Sequence, residues 1–161
     1  MEDSTIYKVL EIRPKDKPKE MPLAWLLVKR VETYQHHKED GKLVKARLEL
    51  FYRRLPHRYY DTDRRAGIMD GSFAGEYHKT YHGHPYSVSL TKGAVFLDLG
   101  TEFHGQRIGT YLMNEIVAWA KQWAEADVEP IELLPGQAYE GNKERRNWFY
   151  EQFNIRFKYS D

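Results

Sequence analysis

At 161 residues, 41% hydrophobic and with a formal charge of +1, the chain is sized for one globular domain. It lacks the basic excess of a surface built for nucleic acid or membrane. It contains no cysteine, which excludes disulfides, thiolate metal sites and a cysteine nucleophile. No apolar run follows the acidic start Met1-Glu2-Asp3-Ser4-Thr5, so a cytoplasmic protein with no membrane partner is expected.

Ile6 to Ile12 reads as a first strand. The segment from Arg13 to Pro22 carries Pro14, Pro18 and Pro22 and is a poor helix candidate. Leu26–Tyr34 and Leu43–Tyr52 then flank His36 to Lys42, whose Asp40-Gly41 step predicts a hairpin turn. In the second arm Val44, Ala46, Leu48, Leu50 and Tyr52 alternate with mostly polar residues, the pattern of a half-buried strand.

From Arg53 to Pro85 no period is sustained, and the segment reads as an irregular functional loop or a pair of short helices. Tyr86–Leu90 and Ala94–Leu99, joined by Thr91-Lys92-Gly93, predict a second hairpin. Gln106 to Glu125 predicts a helix whose apolar stripe is Ile108, Leu112, Ile116, Trp119 and Trp123. A strand over Val128–Leu134, a helix over Lys143–Phe153 and a last strand through Ile155, Phe157 and Tyr159 complete the chain. The order implies an α+β (mixed α/β) fold.

The stretch Ala94 to Met113 is the most informative. It reads as strand, glycine-marked turn and helix, and a helix start offers unpaired N–H groups and a positive dipole end to a phosphate or pyrophosphate. Gly105 and Gly109 flank the turn, where a missing Cβ would let a ligand approach the backbone. Glycine turns before helices are common, so this pattern alone does not decide a function.

Residues 94–157 resemble the GNAT family of acyl-CoA-dependent N-acetyltransferases. The family's signature is a strand followed by Gln/Arg-x-x-Gly-x-Gly/Ala opening a helix, and it falls here on His104-Gly105-Gln106-Arg107-Ile108-Gly109, continued by Thr110-Tyr111-Leu112-Met113. The family's later Tyr-bearing helix, ending near Gly-Phe, is similar to Trp148-Phe149-Tyr150-Glu151-Gln152-Phe153-Asn154-Ile155. His104 stands where Gln or Arg is usual, Arg107 where Gly is most frequent, and Asn154-Ile155 where Gly-Phe is usual. Asn is the next best residue for a left-handed backbone. Asn142 lies one residue farther from Tyr150 than the common spacing.

The resemblance implies a single domain over 1–161, with a central, mostly antiparallel sheet flanked by helices. Residues 94–157 would form the acyl-CoA-binding half and 1–93 an atypical acceptor side. The family's helices between its first two strands are not readable, and the chain stops short of an obvious seventh strand, as expected of a piece of a longer protein.

The implied reaction is acetyl transfer from acetyl-CoA to an amine, by direct attack in a ternary complex. The expected cosubstrate-binding residues are Leu99, Thr101, His104, Gly105, Gln106, Arg107, Ile108, Gly109, Thr110 and Asn142. Within these, the N–H groups from Gln106 to Thr110 would hold the pyrophosphate, and a strand-end N–H near Leu99 or Gly100 would polarise the thioester. Tyr150 would protonate the leaving thiolate, although it is also one of 12 tyrosines and could simply be packed. Glu102, Asp98 and Glu132 are candidate bases, with Glu102 preferred; a water relay or plain surface carboxylates are the alternatives. Arg145 and Arg146, early in the second helix, oppose its dipole and are candidates for phosphate contact.

The acceptor stays open among a small amine, a protein amine and an aminoacyl-tRNA, with the near-neutral charge leaning against tRNA. Such domains often pair as a homodimer, and 14% aromatic content would allow it. A second reading is a degenerate GNAT-like module that binds a partner without catalysis. A third is a zinc site at His78, His82 and His84. No carboxylate-rich support accompanies those histidines, and Gly83 and Pro85 suggest a turn, so no metal is expected.

Overall fold

The computed structural model describes residues 2–17, 19–55, 71–79, 85–92, 96–97, 103–131 and 142–154. It divides into two units, Met1–Pro130 and Ile131–Asp161.

The first unit is built on a seven-stranded, mostly antiparallel sheet. Strand β1 (Glu2–Ile12) pairs with β2 (Ala24–His36) in unbroken register from Glu2 opposite Tyr34 to Ile12 opposite Ala24. The proline-rich connection closes where the Leu23 N–H donates to the Ile12 carbonyl at 2.7 Å. β2 continues into β3 (Leu43–Leu55) through the expected turn, where the His37 N–H meets the Lys42 carbonyl at 2.8 Å and the Asp40 carboxylate accepts from the Lys42 N–H at 3.1 Å.

Strand β4 (Gly71–His78) lies within the segment read as irregular, antiparallel to β3 from Lys45 opposite His78 to Tyr52 opposite Gly71. Its sequence shows no alternation because both faces are buried and one of them is filled by glycine. A Cβ on Gly75 would stand 2.8 Å from Ile116 Cγ2 and 3.2 Å from the Trp119 ring. Only Phe73 and Tyr77 mark the apolar face by size.

The second hairpin is not formed. β5 (Ser87–Ser89) and β6 (Phe96–Leu97) both run antiparallel to β4, opposite residues 76–78 and 71–72 respectively. They therefore share one direction along one edge. The Lys92 N–H donates to the Ala74 carbonyl at 2.8 Å, which keeps Thr91 and Lys92 alongside β4.

Helix α1 (Ile108–Ala120) buries Ile108, Leu112, Met113, Ile116, Trp119 and Ala120. It packs on the sheet face carrying Leu48, Leu50, Phe73 and Tyr77. The helix stops short of the expected Glu125. The Trp123 N–H bonds the Ala120 carbonyl at 3.1 Å, a tighter i to i+3 closure that ends the α-helical ladder. The Trp123 ring then stacks on Tyr77 at 4.4 Å. Glu115 pins the helix to the first two strands, reaching Arg30 at 2.6 Å and Lys8 at 3.3 Å.

After α1, β7 (Asp127–Val128) joins β5 in parallel, Ser87 opposite Asp127 and Val88 opposite Val128. It is shorter than the expected 128–134; the Glu129 N–H still donates to the Val88 carbonyl at 2.8 Å, residues 130–131 are in no strand, and those from 132 onward lie outside the described residues. The second unit contains α2 (Asn142–Glu151), in place of the expected Lys143–Phe153, with Phe149 edge-on to both Tyr150 and Phe153. The expected last strand over 155–159 lies outside the described residues. Among the described residues no helix is long and apolar enough to cross a membrane.

Candidate functional site

The turn from Phe103 to Arg107 sets up the entrance to α1. Gly105 has φ +77° and Arg107 φ +61°, two left-handed residues separated by one. At Gly105 no atom would lie within 4 Å of an added Cβ, so the residue is glycine for its backbone angle rather than for lack of room. Arg107 adopts the same region with a side chain, at a cost of about 1–2 kcal/mol. A left-handed residue followed by a helical one turns successive N–H groups toward one concave side.

Those N–H groups are available. Among the described residues, the N–H groups of Arg107, Ile108, Gly109 and Thr110 have no backbone acceptor, and α1 has no side-chain N-cap. The first turn holds no acidic residue, so the positive end of the helix dipole is not neutralised from within. Gln106 leaves the expected cradle. Its N–H donates to the Phe103 carbonyl at 3.3 Å, and its side-chain oxygen accepts from the Lys15 N–H at 2.9 Å, tying the proline-rich connection to the helix start. Arg54, at the end of β3, lies over the Phe103 ring at 5.1 Å and adds positive charge beside the turn. His104 and Arg107 are exposed on the same turn. The arrangement suits an anion.

His104, Gly105, Arg107, Ile108, Gly109 and Thr110 are thus brought together in one turn. Leu99, Thr101 and Glu102, with Asp98 and Glu132, lie outside the described residues. Asn142 opens α2 and Tyr150 lies near its end, both in the second unit. Tyr150 is buried, and burial pushes its phenol above the ordinary range, with the positive charge of Arg146 opposing. A phenol so placed stays protonated at neutral pH and can donate.

A second cluster escaped sequence reasoning. Glu76, in the middle of β4, is 2% exposed and faces away from α1. Lys45 Nζ lies 2.9 Å from its carboxylate, Arg47 3.2 Å and His78 Nε2 2.5 Å. Burial alone would raise its pKa, but hydrogen bonds and charge from His78 and Lys45 bring it down to about 2. Such a carboxylate is a poor base at neutral pH. It serves to cross-link β3 and β4 on the face that carries no helix contact from α1. The signal was a lone Glu in a glycine-rich segment, readable only once that segment is known to be a strand. His78 is spoken for by Glu76; His82 and His84 lie outside the described residues, and among the described residues no group of three metal-ligating side chains gathers.

Comparison with protein-family models, with curated proteins and with solved structures finds no match.

Proposed function

We propose that the chain is a GNAT-like N-acyltransferase, moving an acetyl group from acetyl-CoA to an amine by direct attack in a ternary complex. One observation carries the reading. The family pattern has Gly at two positions where this chain has a side chain, Arg107 and Asn154. Among the described residues these are the two non-glycine residues with positive φ, +61° and +58°. Both left-handed residues thus fall at places where the pattern asks for glycine.

The topology supports the same reading. β5 pairs antiparallel with β4 and parallel with β7, and α1 spans the parallel crossover. In such a crossover the helix N-terminus, with its unpaired N–H groups, stands at the carboxyl end of the preceding strand. Here the helix start that follows the β5–β6 edge offers the N–H groups of residues 107–110.

In this reading those N–H groups, with the Arg107 charge, hold the pyrophosphate. The acceptor nitrogen attacks the thioester carbonyl, a C–N bond forms, and the collapse of the tetrahedral oxyanion breaks the C–S bond. Tyr150 gives its phenolic proton to the departing thiolate. Glu102, or a water relay, takes the proton that the amine loses. With no cysteine for an acyl-enzyme, direct attack is the economical route.

The test is release of free CoA thiol from acetyl-CoA in the presence of amine panels, followed with a thiol-reactive dye. The chain has no thiol of its own, so the background is clean. Amine-dependent release supports the reading; no release with small amines, peptides or aminoacyl-tRNA overturns it.

A further inference from the structure

Strand β1 ends the sheet, and among the described residues no strand pairs with its outer side. Residues 3–9 are all exposed. By register Ile6 and Lys8 lie on the α1 side and Tyr7 and Val9 on the other, so apolar side chains reach solvent from both faces: Ile6 is 47% exposed, Tyr7 62% and Val9 59%.

A long open edge offers a row of unused N–H and C=O groups, and folded proteins normally blunt it with proline, a bulge or an outward lysine. β1 has none of these. Residues 2–12 contain no proline, and their pairing with β2 runs without a shift, whereas β2 and β3 slip between Gln35 and His36. Its one lysine, Lys8, is drawn to Glu115 of α1 at 3.3 Å. The edge is regular and open, and what fits it is another extended strand.

The sequence of β1 selects that strand. In antiparallel self-pairing about a two-fold axis, opposed residues share a face and one residue sits on the axis. Centring on Tyr7 gives the longest overlap but opposes Asp3 to Glu11 twice, and centring on Lys8 opposes two lysines. Like charges directly opposite destabilise a pair. Centring on Thr5 or Val9 avoids this but shortens the overlap to residues 2–8 or 6–12. Centring on Ile6 overlaps residues 2–10 of each copy with no like-charged pair: Ile6 meets Ile6, Thr5 meets Tyr7, Ser4 meets Lys8 and Asp3 meets Val9. The exposed Ile6, Tyr7 and Val9 all gain a cross-strand neighbour.

We propose that the outer edge of β1 pairs antiparallel with β1 of a second copy, centred on Ile6, so that two sheets join into one across a two-fold axis. The inference is independent of the transferase reading.

The experiment combines sedimentation equilibrium with cross-linking. Wild type should dimerise with a Kd of about 1–100 μM, the range of a modest interface. Ile6→Lys places two cations on the axis and should raise that Kd about tenfold or more. Circular dichroism checks that this variant is folded. The chain has no cysteine, so Ile6→Cys reports the register directly. Opposed residues have Cα atoms about 4.5–5.5 Å apart, within disulfide reach. Diamide should therefore link Ile6→Cys into a covalent dimer, and should do so far faster than Ser4→Cys, whose two copies would stand about 13 Å apart along the strands. A wild type that stays monomeric at about 100 μM overturns the proposal. So does a dimer that Ile6→Lys leaves intact, or one in which Ile6→Cys links no faster than Ser4→Cys. If Ile6→Lys fails to fold, the comparison of the two cysteine variants decides.

Discussion

Gly75 of β4 lies directly beneath Ile116 of α1, close enough that a methyl group on Gly75 would stand 2.8 Å from Ile116 Cγ2. The helix that presents the anion cradle is set at its height above the sheet by this contact. Gly75→Ala should destabilise the protein by about 1–3 kcal/mol, as overpacking does. Combined with Ile116→Ala it should cost clearly less than the two single changes together, since truncating Ile116 makes room for the added methyl, which in turn fills part of the cavity. Urea denaturation of the four proteins checks this; strict additivity would mean the two residues do not press on one another.

Arg107 adopts a left-handed backbone at the start of α1. Arg107→Gly should therefore raise stability by about 1 kcal/mol. The same change removes a cation beside the cradle and should weaken acetyl-CoA binding, by about twofold to fivefold for an exposed charge. Thermal melting and calorimetry on one preparation would show the two effects moving in opposite directions. A loss of stability on substitution by glycine would contradict the assigned backbone conformation.

Much of this was legible in the sequence. The β2–β3 hairpin followed from alternation around Asp40-Gly41, and the α1 stripe from its 3.6-residue period. The left-handed position at Asn154 followed from an asparagine standing where the resembled family has glycine. What was not legible has a physical cause in each case. β4 was hidden because Gly75 and Ala74 are small where two faces are tightly covered, so no period-2 signal survives. The β5–β6 edge was read as a hairpin because Thr91-Lys92-Gly93 has turn composition, while both strands pair with β4 and Lys92 bonds to Ala74. In the candidate site the turn residues 104–110 came from sequence. The loss of the Gln106 N–H to Phe103 depends on three-dimensional closure that no spacing rule encodes.

The Glu76 cluster makes stability depend on pH in a defined direction. Its carboxyl titrates at about 2 in the folded chain against an ordinary value of 4.5. The unfolded chain therefore binds the proton first as pH falls. The contribution of Glu76 is complete above about pH 4.5 and is lost progressively down to about pH 2. Glu76→Gln should cost about 3 kcal/mol at neutral pH, because Lys45 and Arg47 lose a buried counter-charge. It should also flatten the stability profile between those two pH values. Chemical denaturation across pH 2–6 measures both, and an unchanged acid limb would remove Glu76 from the account.

Tyr150→Phe separates catalysis from binding. As the proton donor to the thiolate, the phenol should be worth about a hundredfold to a thousandfold in kcat. The acetyl-CoA Kd should not move. Because burial raises the phenol's pKa, wild-type kcat should show no loss from its ionisation below about pH 10. A variant that binds acetyl-CoA and turns over like wild type would favour the non-catalytic module.

The cradle at residues 107–110 is the centre of the account, and titration of acetyl-CoA into the purified protein by calorimetry, with desulfo-CoA beside it, tests it most directly. Micromolar binding of both compounds is expected if the helix start holds the pyrophosphate, since the sulfur takes no part in that contact. Absence of binding at millimolar concentration would contradict it and point instead to a protein partner.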